Sequence, residues 1–165
     1  MFAIIALMLA AASADERVNL DEVATVRLGE SEGVARSKLT EWGELKRTDD
    51  GNGQVTLVAG ETTAILCTGK VVSVSREYLD GFDHFAALAE LITKQYGPAK
   101  PADILRIAGE RPATDPRGEM KISISGIRIT WPAAPKYLLG YSEINGTKRA
   151  FESLNDKNPC KRKPV

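Results

Sequence analysis

Apolar positions recur every three to four residues in two stretches of the chain and every second residue in several others. The first period is that of a helix with one buried face, the second that of a half-buried strand. Within Ser31–Gly43, Ala35, Leu39 and Trp42 share one helical face and Gly43 stands where a helix stops. Thr48-Asp49-Asp50-Gly51-Asn52-Gly53 is turn chemistry, because Gly and Asn tolerate positive φ. Val55–Ala59, Thr62–Cys67 and Val71–Arg76, separated by Gly60-Glu61 and Gly69-Lys70, predict a three-stranded antiparallel meander.

The pattern then repeats. Phe85, Leu88, Ala89, Ile92 and Tyr96 predict a second helix over 82–96, with Asp83 as N-cap and Gly97-Pro98 as its end. Pro98, Pro101, Pro112 and Pro116 mark residues 97–118 as a connector without regular sheet, in which Ala102–Ala108 forms one or two helical turns. Met120–Trp131 alternates as a strand and ends at Pro132 and Pro135. Tyr137–Ile144 and Thr147–Leu154 flank Asn145-Gly146, a strong two-residue hairpin signal. The expected fold class is α+β. Two helix-plus-antiparallel-meander units, about residues 28–79 and 80–154, form a two-layer sandwich of helices on sheet. The acid-rich residues 15–32 read as a solvated lead-in, and 155–165 as a basic tail that is loose unless Cys160 ties it down.

A length of 165 residues suits one domain. The start, Met1-Phe2 through Ala14, changes the picture most. An apolar run of about 11 residues is followed by Ala12-Ser13-Ala14, the small-x-small pattern of a signal peptide, and it is too short for the roughly 20 residues that span a bilayer. Residues 1–14 are therefore expected to be removed after Ala14. The mature domain, 15–165, is expected in the periplasm or outside the cell, with no transmembrane segment. Export in turn lets Cys67 and Cys160 persist as a disulfide, and closing so long a loop is worth roughly 4 to 5 kcal/mol by chain entropy. The alternative is a buried strand cysteine and a free tail thiol. Because 22 Lys and Arg balance 22 Asp and Glu, nothing in the charge favours nucleic acid as a partner.

Leu28-Gly29-Glu30-Ser31-Glu32-Gly33-Val34, Leu39-Thr40-Glu41-Trp42-Gly43 and Ile65-Leu66-Cys67-Thr68-Gly69-Lys70-Val71-Val72-Ser73-Val74 make a helix, a glycine stop and a Gly-Lys-Val hairpin. In this the chain resembles exported helix-plus-meander domains of the β-lactamase-inhibitor-protein type and the small outer-membrane assembly lipoproteins of the SmpA/OmlA type. The resemblance covers residues 28–76, with a looser echo over 82–154. It implies a non-catalytic, protein-binding envelope module and assigns no binding residue. The chain departs from it in lacking a lipid-anchoring cysteine after the apolar run and in its proline-rich connector.

Catalytic equipment is sparse. The single histidine, His84, neighbours Asp80 and Asp83, too few ligands for a zinc site, and an N-cap aspartate beside a surface histidine accounts for them. Neither Gly51-Asn52-Gly53 nor Gly29–Gly33 fits a phosphate loop. Glu77, Asp80, Glu119 and Glu143 are candidates for carboxylate-based hydrolysis, though scattered surface acids are the better account of them. No cofactor is expected. Lys157, Lys161, Arg162 and Lys163 could meet anionic lipid or an acidic partner, or serve solubility alone. For protein recognition the residues of interest are Arg128, Trp131, Tyr137 and Tyr141 on the second meander, with core packing of the aromatics as the alternative. The expected role is non-enzymatic recognition of an envelope protein. A small-ligand carrier is the alternative and a carboxylate hydrolase the third.

Overall fold

The computed structural model describes residues 17–79, 81–111, 120–156 and 160. Residues 1–14, the expected signal segment, and the tail cations therefore lie outside the described residues. In chain order the elements are β1 (Glu22–Val23), β2 (Val26–Arg27), α1 (Glu32–Leu39) with a 3-10 turn at Thr40–Trp42, β3 (Leu45–Asp49), β4 (Gln54–Ala59), β5 (Thr62–Cys67), β6 (Lys70–Tyr78), α2 (Gly81–Tyr96), β7 (Asp103–Arg111), β8 (Met120–Trp131), β9 (Ala134–Ile144) and β10 (Thr147–Asn155). The class is α+β. Eight strands form one sheet in the order β3-β4-β5-β6-β10-β9-β8-β7, and every neighbouring pair is antiparallel.

Alternation decides which face of that sheet is buried. Val55, Leu57 and Ala59 of β4 lie opposite Leu66, Ala64 and Thr62 of β5, and all six are buried. The same face continues across the sheet through Val74, Leu154, Tyr137 and Leu139. Both helices pack on it: α1 inserts Ala35 and Leu39, and α2 inserts Phe85 and Ile92. We call it the covered face. No helix lies over the opposite face among the described residues, and we call that one open. No helix among them is long and apolar enough to cross a membrane.

Four elements depart from the sequence reading. The lead-in is not wholly solvated: Leu20, Val23, Ala24 and Val26 are buried around the β1–β2 hairpin, whose acids merely face outward. Lys38 Nζ donates to Thr25 O (2.7 Å) and Trp42 Nε1 to Ala24 O (3.1 Å), tying that hairpin to α1. The first meander has a fourth strand, β3, which the alternation rule misses because only Leu45 in it is apolar and the rest is exposed edge. Asp83 is not the N-cap of α2; the helix already begins at Gly81, so Asp83 lies in the first turn. Most consequentially, Ala102–Ala108 is no helical turn. Residues 103–111 form β7, because the connector's prolines flank this stretch and none interrupts its pairing with β8.

The helix stop at Gly43 rests on a close approach. A Cβ on Gly60, in the β4–β5 turn, would sit 2.7 Å from the Trp42 carbonyl oxygen, so the turn reaches the end of the 3-10 segment only because residue 60 lacks a side chain. The chain's other end is fixed covalently. Cys67 and Cys160 form the expected disulfide, with a Cα–Cα distance of 5.4 Å.

Candidate functional site

The antiparallel pairing of β6 with β10 is the seam of the sheet, and chemistry concentrates on both sides of it. Ala150 lies opposite Tyr78, Phe151 opposite Glu77 and Glu152 opposite Arg76. Strand alternation sends Arg76, Tyr78 and Glu152 to the covered face and Glu77, Arg149 and Phe151 to the open one.

On the covered face the Glu152 carboxylate is buried and accepts hydrogen bonds from the Tyr78 hydroxyl and from the Tyr137 hydroxyl (2.7 Å to the latter). Burial pushes the Tyr137 hydroxyl far above its ordinary value near 10, and the negative charge of Glu152 adds to the effect. Tyr78 moves the same way, for the same causes in the same order, while the Arg76 charge pulls it partly back. The Arg76 guanidinium stacks on Trp42 at 4.0 Å and on Tyr78 at 4.9 Å. His84 lies against the other side of this group, its ring 3.9 Å from that of Tyr78 and its Nε2 buried without a hydrogen-bond partner. The cluster joins the 3-10 turn, β6, β9, β10 and α2, and its polar atoms mostly satisfy one another.

On the open face the seam carries a cavity of about 290 Å³ lined by Glu77, Ser142, Ile144, Thr147, Arg149 and Phe151. Arg149 donates to the Glu77 carboxylate across its wall, both side chains nearly half exposed. The Phe151 ring lies over Gly140 of β9: a Cβ at 140 would come 2.2 Å from the ring's Cζ atom. Gly140 therefore lets the aromatic ring lie down on the sheet and form a flat, apolar floor. Ile144 is 47% exposed at the rim. An apolar floor, an ion pair and two hydroxyl-bearing side chains suit binding: the floor takes an apolar group, and the rim takes polar ones.

The residues singled out from sequence do not meet in one place. Trp131 and Tyr137 are both fully buried on the covered face, their rings 6.2 Å apart, and Trp131 reaches Thr93 of α2. That is the packing alternative, and it offers a partner no area. Tyr141 is half-buried beneath α2, edge-on to Phe82 at 5.5 Å. Arg128 alone is exposed and on the open face, opposite Gly140 in the pairing of β8 with β9. Of the acids, Glu77 and Glu143 point to opposite faces and do not converge, and Asp80 and Glu119 lie outside the described residues. Among the described residues no group of three His, Cys, Asp or Glu side chains is placed to hold a metal. Apart from Glu77, singled out there as a candidate acid, the cavity residues escaped sequence reasoning because three strands supply them; the pairing of a lone strand Gly with a Phe was the one available signal. Set against family models, curated proteins and solved structures, the chain finds no match.

Proposed function

We propose that the chain is an exported, non-enzymatic binding module of the cell envelope that docks a protein partner on its open sheet face. The cavity over Phe151 anchors that face. In this reading residues 1–14 are cleaved after Ala14, and the mature protein is periplasmic or secreted. Its two four-stranded meanders, each preceded by a helix, are the two units of a helix-on-sheet sandwich like that of the families it resembles.

One observation carries the reading. The open face has no helix over it among the described residues, yet at its seam it bears an aromatic floor with an ion pair and an exposed isoleucine at the rim. Such a combination favours recognition, since a rigid aromatic ring buries area with little loss of conformational freedom. The chain's single histidine lies on the covered face, so Ser142 and Thr147 have no imidazole beside them to act as a base. The alternative, a small-ligand carrier, uses the same cavity, whose volume falls just short of the range for drug-sized ligands, about 300 Å³ upward.

Photo-crosslinking in intact cells tests this, with probes at Ser142, Thr147 and Arg128 and a control probe at Glu90 on α2. A single protein captured from the open-face positions, absent from the control and lost in Phe151→Ala, supports the proposal. Equal, diffuse capture from both sides overturns it and directs attention to small molecules bound in the cavity.

A further inference from the structure

The two edges of the sheet are built differently. The β3 edge is short and charged: Lys46, Arg47 and Asp49 are exposed, and Arg47 pairs with Glu32 (2.7 Å) and Asp49 (3.3 Å). Charges of this kind discourage pairing with another strand. The β7 edge carries the charge of Asp103 at its start but follows it with apolar positions. It runs for 9 residues without an internal proline, and at its start Ile104 is 71% and Leu105 40% exposed, one on each face of the sheet. Among the described residues nothing pairs with its outer side. The unsatisfied backbone groups of a long edge define their own complement, another extended strand.

We propose that β7 pairs with β7 of a second copy of this chain, antiparallel about a two-fold axis, so that two eight-stranded sheets become one. The occupant follows from three features. A strand paired with itself across a two-fold satisfies both exposed edges at once, whereas a foreign strand would have to be supplied for each. The formal net charge of +0 gives two copies no repulsion to overcome. Finally, centring the axis on position 107 sets position 103, an aspartate, against position 111, an arginine, at both ends of the new pair. The dimer uses neither the open-face cavity nor its partner, so it stands or falls separately from the binding role.

Sedimentation velocity of the purified mature protein over a concentration series tests the inference, together with hydrogen exchange at each concentration. The expected result is a reversible dimer whose formation slows exchange of the β7 amides and leaves those of β3 unchanged. Asp103→Lys combined with Leu105→Lys weakens self-association more than about tenfold, because in this register position 103 faces position 111, an arginine, and position 105 lies on the diagonal to it, so like charges meet at both ends of the new seam. Circular dichroism and melting stay as in the unaltered protein, and Phe151→Ala leaves self-association untouched. A monomer at every concentration overturns the proposal, as does a dimer that leaves β7 amides unprotected. The exchange experiment decides the matter on the unaltered protein even where the lysine variant fails to fold.

Discussion

Glu152 and Glu77 are carboxylates on adjacent, paired strands, and they live in opposite worlds. Glu152 faces the core, 9% exposed, and is held by two tyrosine hydroxyls beside the Arg76 that stacks between Trp42 and Tyr78. Glu77 faces solvent on the open side and is held by Arg149 alone. A buried carboxylate survives only if its oxygens are satisfied, so its partners belong to the fold. An exposed one costs little to keep and little to lose, so its partner is free to be exchanged for a ligand group. The covered side of the seam is thus committed to stability, and the open side is available for recognition.

The strongest test of that division is covalent. Cys67 lies on the open face, and its bond to Cys160 closes a loop with a sequence separation of 93. Replacing both cysteines, Cys67→Ser with Cys160→Ser, is expected to lower unfolding stability by about 4 kcal/mol, read as a shift in the denaturation midpoint under non-reducing conditions. The hydrogen bonds at Glu152 should remain, since the bridge touches the other face. A simultaneous loss of the near-ultraviolet circular dichroism of the buried tyrosines in the native variant would show the two faces to be coupled.

Second in size is the carboxylate itself. Glu152→Ala leaves the Tyr78 and Tyr137 hydroxyls without an acceptor in the core and is expected to cost about 3 kcal/mol, against less than about 1 kcal/mol for Glu77→Ala. Urea denaturation of the two variants side by side checks the ordering, and equal losses would dissolve the distinction between the faces.

A pH series sharpens it further. Folding raises the pKa of Tyr137 and Tyr78 above the unfolded value near 10. A group whose folded pKa is raised contributes stability that is present below its unfolded pKa and lost as pH climbs towards the folded one. Stability should therefore hold below pH 10 and fall progressively above it. In Tyr137→Phe, less stable at neutral pH, the alkaline decline should be shallower, because one of the two neutral hydroxyls no longer has to ionise. Chemical denaturation at steps from neutral to alkaline pH measures the slope.

How much of this was legible beforehand follows from the range of the interactions. Local patterns came through: the α2 face from Phe85 to Ile92, the strand over Met120–Trp131, and the Asn145-Gly146 hairpin, where φ is +49° and +84°. So did the disulfide, which compartment and cysteine count suggest together. Edge strands did not, because β3 buries no side chain fully and so shows no alternation. In β7's case the prolines nearby drew the reading away from a strand that they only bracket. The cavity was the least legible, since Glu77 joins Ser142, Thr147 and Phe151 only through the register of β6 on β10. Trp131 and Tyr137 were conspicuous as contact residues by type, but large aromatics with a polar atom that can find an inner partner are equally suited to the core. Here Thr93 and Glu152 supply those partners.

The smallest expected change in stability is the most informative about function. Arg149→Ala removes a half-exposed ion pair, so its effect on unfolding should stay within about 1 kcal/mol. Its effect on recognition should be disproportionate, because the same substitution frees the Glu77 carboxylate at the wall of the cavity and strips a charge from its rim. Partner capture through the Thr147 probe should fall in Arg149→Ala. Raising ionic strength should weaken capture by the unaltered protein more than by the variant, since the variant has one fewer screened charge to lose. If capture instead survives Arg149→Ala with its salt dependence intact, the ion pair is mere surface chemistry. The open face would then owe any grip it has to Phe151 and Ile144, the two apolar side chains that Gly140 and the hairpin leave within a partner's reach.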